Sequence, residues 1–157
     1  MRVNVAWFGR RSASPYEDQI EIYRQRTDRR WKAEDRVLRP IAGGREKDSR
    51  RTLRLEAEAV LSCREPGWRL VALDERGERR ESVAFARWLG DLEDRGVEGV
   101  LFVIGSDLGL DPGLVDRANE RLSVSPMTLP HLLARLVLWE QLFRATDILS
   151  GGAYHRK

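Results

Sequence analysis

Short apolar runs alternate with amphipathic stretches along the whole chain. Val3, Val5 and Trp7 recur at every second position, which predicts a strand that ends at the turn around Gly9. The most apolar run is uncharged and β-branched, as is typical of a strand buried on both faces of a sheet. Beyond the first strand, strands are predicted over residues 34–40 (with Val37 and Leu38 as the apolar part), 68–74 and 99–104.

Helical spacing of apolar residues fills the intervals between these strands. Ser14, followed by Pro15 and Glu17, is a helix-start signal with the residues of a capping box. The predicted helices begin near residues 14, 48, 82, 111 and 130, and residues 42–47 form a polar loop. Strands that alternate with helices indicate an α/β fold with a mainly parallel sheet. At 157 residues we expect one domain, 1–157.

The last predicted helix is apolar on two sides. Its main apolar face is predicted to comprise Leu132, Leu133, Leu136, Val137, Phe143 and Ile148. Glu140 falls within this stripe and should pair with Arg144 or Arg135, since an unpaired carboxylate there is costly. Trp139 and Leu142 form a second apolar set, so the helix is either central or packed against a partner subunit. This pattern favours a homodimer.

Charge and cysteine content narrow the class of protein. Charged residues make up 34% of the chain with a net charge of +3, and arginine supplies most of the positive charge. Arginine-rich composition is compatible with RNA binding and equally with a GC-rich genome. No apolar run approaches the ~20 residues of a membrane span, and the N-terminus does not resemble a signal peptide, so we expect a cytoplasmic protein without a membrane partner. The single Cys63 cannot form an internal disulfide and is more simply structural than nucleophilic.

Three strand ends are candidate ligand sites, because open α/β sheets bind ligands at the carboxyl ends of their strands. These ends are residues 73–74, 104–109 and 124–129. The glycines of the second end suit either a ligand cradle or a plain turn. Pro126 and Pro130 bracket the third and hold the preceding residues extended, which leaves backbone groups free for a ligand or forms an ordinary loop.

The chain offers no hydrolase triad and no metal site. Its two histidines, His131 and His155, lie at opposite ends of the last helix, and there is no His/Asp cluster. A purely structural role is also open for His131, in which the side chain contacts loop carbonyls at the start of the helix. The chemistry is therefore expected to work by positioning, or to be absent.

The C-terminal third resembles a known family. Residues 127–135 read MTLPHLLAR, residues 138–145 read LWEQLFRA, and the tail continues with Tyr154, His155 and Arg156. This pattern resembles the RlmH family. These are small SPOUT-class methyltransferases that use S-adenosylmethionine to methylate N3 of a pseudouridine in large-subunit ribosomal RNA.

The resemblance implies a single-domain SPOUT-type fold with a C-terminal trefoil knot, an obligate homodimer and a cofactor bent into the knot. The cofactor contacts it implies are Leu73, Gly105, Val124, Ser125, Pro126, Met127, Thr128 and Leu129. The tail would reach the partner's active site, where His155 is the candidate base or orienting group. Arg156 and Arg135 would hold phosphate or a carbonyl of the base, while Tyr154 and His131 would contact substrate.

The sequence departs from the family pattern in the glycine loop. The family reads Ile-Gly-Gly-Pro-Glu-Gly where residues 104–109 here read IGSDLG. Two alternatives to an active enzyme on this RNA therefore stay open: a SPOUT-like dimer that binds RNA or ribosomes with weakened catalysis, and a methyltransferase acting on another RNA. The small basic surplus favours an assembled ribosome over free RNA as the substrate.

Overall fold

A five-stranded parallel sheet forms the middle of the protein, with strand order β2-β1-β4-β3-β5. The computed structural model describes residues 1–11, 14–41 and 49–155. The strands are β1 (Arg2–Phe8), β2 (Lys32–Leu38), β3 (Arg69–Arg79), β4 (Gly99–Ile104) and β5 (Glu120–Ser123). The helices are α1 (Glu17–Asp28), α2 (Ser49–Ser62), α3 (Ser82–Asp94), α4 (Pro112–Arg117) and α5 (His131–Leu149). The predicted α/β class with a parallel sheet is confirmed.

Helices cover both faces of the sheet. On one face, residues of α1, α3 and α5 pack with Val3, Val5 and Trp7 of β1 in a single apolar cluster. On the other face, α2 and α4 pack against Ala6 and Phe8 of the same strand. Because both faces are covered, β4 is buried at all six positions, as its apolar sequence predicts.

Strand β2 is present, but the prediction of its apolar part was wrong. The buried residues are Ala33 and Asp35, whereas Val37 is 39% exposed. Hydropathy alone could not place Asp35 inside, because its carboxylate is stabilised there by partners from β1 and α5.

Two predicted helix starts had different outcomes. Asp111 caps α4, since its side chain accepts a hydrogen bond from the backbone N–H of Leu114 at 3.1 Å. Ser14 does not cap α1: its hydroxyl accepts from the N–H of Tyr16, and the helix begins at Glu17 without a side-chain cap. Ser14 instead forms part of the turn that precedes the helix.

Helix α5 buries a different face from the one predicted. Its buried residues are Ala134, Arg135, Leu138, Trp139, Leu142, Ala145 and Thr146. The predicted inward face, which includes Leu133, Leu136 and Val137, is only half-buried. The second apolar set, Trp139 and Leu142, is the one that packs into the core. An apolar stripe is thus left half-exposed along the helix, although α5 already packs against α1 and α3.

None of the described helices, α5 included, combines the length and the apolar character that crossing a membrane requires. The predicted polar loop at residues 42–47 lies outside the described residues.

Candidate active site

A cavity of about 720 Å³ lies at the carboxyl ends of β3, β4 and β5. Its volume is in the range of small-molecule sites. All three strand ends predicted from the sequence line it, because these strands are neighbours in the sheet and their carboxyl ends meet at one edge. Among the residues that the family resemblance gives to the cofactor, the cavity is lined by Leu73, Gly105, Val124, Ser125, Met127, Thr128 and Leu129. Pro126 is exposed and does not line it.

The glycine-bounded turn after β4 forms one wall. Its ends meet in a β-bridge between Ser106 and Gly109, and the N–H of Gly109 donates to the carbonyl of Ser106 at 2.8 Å. A Cβ at Gly105 would lie 2.5 Å from the carbonyl group of Gly109, so only glycine fits there. The hydroxyl of Ser106 donates to Glu56 of α2 at 2.8 Å, which ties the turn to the neighbouring helix.

Residues 124–130 form the opposite wall, and the segment is folded by its own hydroxyl groups. The Ser123 hydroxyl donates to the carbonyl of Ser125 at 2.7 Å, and the Ser125 hydroxyl accepts from the N–H of Met127 at 2.9 Å. Met127 is 73% exposed at the cavity. As the bracketing prolines predict, the segment is neither helix nor strand.

His131, the first residue of α5, lines the same cavity. Its Nδ1 lies 3.1 Å from a carboxylate oxygen of Asp107 in the glycine turn. The alternative in which His131 contacts loop carbonyls is therefore not what the side chain does. The pair joins the wall after β4 to the wall after β5.

The cavity lining is acidic. Asp74, Glu75 and Asp107 contribute carboxylates, and Arg76 is the arginine among the described lining residues. With a neutral His131 this gives a net charge of −2, which favours a cationic ligand.

The described residues of the C-terminal tail, Tyr154 and His155, do not line this cavity. Tyr154 packs against Phe143 with ring centroids 4.6 Å apart, and its hydroxyl donates to Glu140 at 3.1 Å. Glu140 also accepts from Arg144, which is one of the two partners predicted for it. Burial raises the pKa of Tyr154, and hydrogen bonds with Tyr23 and Glu140 add to this rise, so the phenol stays protonated. Arg156 lies outside the described residues.

His155 lies against a permanent cation. A guanidinium nitrogen of Arg144 is 3.4 Å from Nδ1 of His155. Because a guanidinium can only donate, Nδ1 is the acceptor in a hydrogen bond here, which corresponds to the tautomer that carries its proton on Nε2. In this arrangement His155 presents a donor to its surroundings.

Arg135 is placed in the core and not at the cavity. Its guanidinium donates to Asp35 at 2.7 and 2.9 Å and to Glu17 at 2.8 Å through two nitrogens. It also lies over the ring of Trp7, 4.0 Å from the centroid. The side chains of Arg135 and Asp35 are 0% and 1% exposed. The expected contact with phosphate or a carbonyl of the substrate base is not available to a guanidinium whose donors are occupied in this way, and the position points to a structural role.

The sequence interpretation missed one part of the site. The strand predicted over residues 68–74 ends too early, since β3 continues to Arg79. Leu73 and Glu78 both lie opposite Leu122 of β5, so the four residues between them leave the β3–β5 ladder, and three of these, Asp74, Glu75 and Arg76, line the cavity. The sequence feature that marks this part of the site is the charged triplet of residues 74–76 followed by Gly77, a pattern that also fits a plain turn.

Comparison with known proteins identifies the family of this chain. The model of the family described as predicted SPOUT methyltransferase matches residues 1–155. This chain belongs to that family. It is 39% identical to a protein of Phenylobacterium zucineum and 40% identical to one of Rhodospirillum centenum, each over 99% of both chains. Both relatives are named ribosomal RNA large subunit methyltransferase H.

The solved structure of the SpoU methyltransferase AviRb from Streptomyces viridochromogenes, in complex with AdoMet, is a more distant match. It aligns with a TM-score of 0.46 and 15% identity over 97% of this chain and 59% of that chain. A TM-score of this size is too low to transfer any property. The family assignment of this SPOUT methyltransferase rests on its sequence.

Proposed function

We infer that this SPOUT methyltransferase transfers a methyl group from S-adenosylmethionine to large-subunit ribosomal RNA, and we propose N3 of a pseudouridine as the methylated atom. One observation carries the proposal. A single cavity brings together seven of the eight residues that the RlmH resemblance assigns to the cofactor, in a chain whose full-length relatives bear a ribosomal RNA methyltransferase name.

The residues at the cavity fit this cofactor. S-adenosylmethionine supplies a methyl group on a positively charged sulfonium, and with its ammonium and carboxylate groups it carries a net charge of +1. The acidic lining from Asp74, Glu75 and Asp107 complements that charge. Gly105 keeps the wall after β4 free of a side chain, and backbone groups of residues 124–129 are available to bind an adenine edge.

His155 is proposed to orient and polarise the target base. N3 of a pseudouridine is a poor nucleophile until its proton passes to solvent water. The Nε2–H of His155 would donate to an adjacent carbonyl of the base and stabilise the negative charge left on the ring. Correct placement of two bound reactants can supply roughly 7–11 kcal/mol of the barrier. Arg156 remains a candidate for holding phosphate.

The separation of cavity and tail supports the proposal of a homodimer. His131 at the start of α5 lines the cavity, whereas Tyr154 and His155 pack near its end. A 19-residue helix is roughly 28 Å long, so the tail cannot reach the cavity of its own chain while it is packed in this way. The half-exposed stripe that includes Leu133 and Val137 offers a surface for a second copy whose cavity would receive the tail.

The remaining features of the proposal concern topology and setting. We propose that residues 1–157 act as one domain, that the segment after β5 is threaded into a trefoil knot, and that the enzyme works in the cytoplasm. We also propose the assembled ribosome or its large subunit as substrate, since a net charge of +3 leaves little basic surface for free RNA.

Calorimetry and a methylation assay test the function directly. Purified protein should bind S-adenosylmethionine and transfer a labelled methyl group to isolated ribosomes, with much less transfer to naked ribosomal RNA. The absence of cofactor binding would support a dimer that binds RNA or ribosomes without catalysis. Cofactor binding together with transfer only to other RNAs would support a different substrate. Equal activity on naked ribosomal RNA would contradict the assembled substrate.

A further inference from the structure

Residues 74–77 form a bulge of β3 that leaves the ladder with β5, and Asp74, Glu75 and Arg76 of this extruded loop line the cavity. Leu73 and Glu78 both lie opposite Leu122 of β5, so the ladder resumes on the far side of this extruded loop. Gly77 closes the loop against β5: a Cβ there would lie 2.7 Å from backbone carbons of Arg121 and Leu122. Such an approach is open only to glycine, so the extrusion is built into the sequence.

One side-chain contact ties the extruded loop to the proposed cofactor segment. The hydroxyl of Thr128 donates to a carboxylate oxygen of Glu75 at 2.7 Å. Within the loop itself, the carboxylate of Asp74 accepts from the N–H of Arg76 at 2.9 Å, which fixes the turn that presents Glu75.

Residues 124–129 have few other hydrogen bonds to hold them in place. Among the described residues, the segment has two other hydrogen bonds, and both lie within it or next to it. The Ser123 hydroxyl donates to the carbonyl of Ser125, and the N–H of Met127 donates to the Ser125 hydroxyl. Glu75 therefore supplies the hydrogen bond that fixes the segment to a neighbouring part of the fold. Beyond its C-terminal end, the contact of His131 with Asp107 supplies a second attachment.

We propose that Glu75 is a positioning residue, whose carboxylate acts through Thr128 to hold residues 124–129 in the arrangement that binds S-adenosylmethionine. This rests on the proposed function. A segment that reaches its binding arrangement for only part of the time loses affinity by that fraction. The hydrogen bond from Thr128 raises that fraction before the cofactor arrives, and its loss should appear in cofactor affinity more than in the rate at saturation.

Calorimetry on full-length variants tests this role. We expect Glu75→Ala and Thr128→Val each to weaken binding of S-adenosylmethionine about tenfold, which corresponds to about 1.4 kcal/mol. The double variant should be no weaker than the weaker single variant, because both changes remove the same bond. Glu75→Gln should weaken binding clearly less than Glu75→Ala, since its amide oxygen still accepts from Thr128 and only the negative charge of the cavity lining is reduced. Glu58→Ala on the exposed side of α2 removes the same charge away from the cavity and serves as the matched control.

Enzyme kinetics and hydrogen exchange separate positioning from a general loss of structure. In Glu75→Ala, the KM for S-adenosylmethionine should rise while kcat and the KM for ribosomes stay near wild type. Exchange of the backbone amides in residues 124–129 should quicken in Glu75→Ala and not in Glu75→Gln.

Each contrary outcome has a distinct meaning. If Glu75→Gln bound S-adenosylmethionine as weakly as Glu75→Ala, the charge and not the bond to Thr128 would matter, and the proposal would be overturned. Additive losses of affinity in the double variant would overturn it as well. Tight wild-type binding that is unchanged in Glu75→Ala would overturn the role of Glu75 alone. Wild-type protein that binds no S-adenosylmethionine would overturn the proposed function, and the role of Glu75 would fall with it.

Discussion

Replacement of Arg135 by methionine should destabilise the fold before it affects chemistry. The guanidinium is fully buried and donates to both Asp35 and Glu17. Arg135→Met keeps a long apolar stem over Trp7 and removes the charge. The substitution therefore isolates the ion pairs from the packing of the side chain.

The loss in free energy of unfolding depends on which partners the carboxylates of Asp35 and Glu17 keep after the substitution. Removal of one partner of a buried ion pair costs roughly 3–5 kcal/mol, because the other charge stays buried. Asp35 would keep hydrogen bonds from the indole N–H groups of Trp7 and Trp139, at 3.0 and 2.8 Å, and its ion pair with Arg11 at 3.2 Å. Glu17 is 28% exposed and can be solvated by water. We therefore expect the lower end of the range, about 3 kcal/mol, in a protein whose total stability should be about 5–15 kcal/mol.

Urea unfolding followed by tryptophan fluorescence measures this loss, with Trp7 and Trp139 beside the perturbed site. Arg117→Met, at an exposed position, is the control. A loss below 1 kcal/mol, combined with a large fall in kcat, would refute the structural role and return Arg135 to the catalytic residues.

Three further predictions concern acid stability, the extruded loop and the tail. Hydrogen bonds from Arg135 hold the pKa of Glu17 below its ordinary value of 4.5. The stabilisation that Glu17 gives is therefore present above about pH 4.5 and is lost as the pH falls through the lowered pKa. Glu17→Gln should flatten the decline of the urea midpoint below about pH 4.5, and an unchanged slope would argue against this role. Gly77→Ala should weaken binding of S-adenosylmethionine at least tenfold in calorimetry, since its Cβ would lie 2.7 Å from β5 backbone; wild-type affinity would show that the loop can move aside without cost. His155→Ala should lower kcat about 10²–10³-fold on ribosomes, while His155→Gln, which keeps an N–H donor, should recover part of that loss; equal losses would favour a base.

The location of the cavity could be predicted from sequence because it depends on one general rule. Residues 73–74, 104–109 and 124–129 follow three strands, and the carboxyl ends of neighbouring parallel strands share an edge. That prediction needed no knowledge of side-chain partners. The order of the strands, and hence which ends are neighbours, became known only from the structure.

The face of α5 could not be predicted from hydropathy. Arg135 counts as a surface residue on any hydropathy scale, yet it is buried because Asp35 lies opposite it, 100 residues away in the chain. Once Arg135 faces the core, Trp139 and Leu142 must follow it, and Leu133 and Val137 are left half-exposed. The buried face of α5 thus includes a long-range ion pair that hydropathy does not reveal, and it differs from the predicted face for this reason.

The path of β3 escaped prediction for a similar reason. Gly77 reads as a turn glycine in the sequence, and only the approach of Arg121 and Leu122 shows that it closes a loop within a continuing strand. The contact between Glu75 and Thr128, which are 53 residues apart, depends on that closure.

The ribosomal RNA of a strain that lacks this protein provides the most direct test of the proposed function. Mass spectrometry of nuclease fragments of large-subunit RNA should show one pseudouridine that has lost a methyl group, and the wild-type gene should restore it. A variant with Gly105→Val, which fills the cavity wall, should not restore it. Identical methylation of large-subunit RNA in the deletion strain and its parent would contradict the proposed activity.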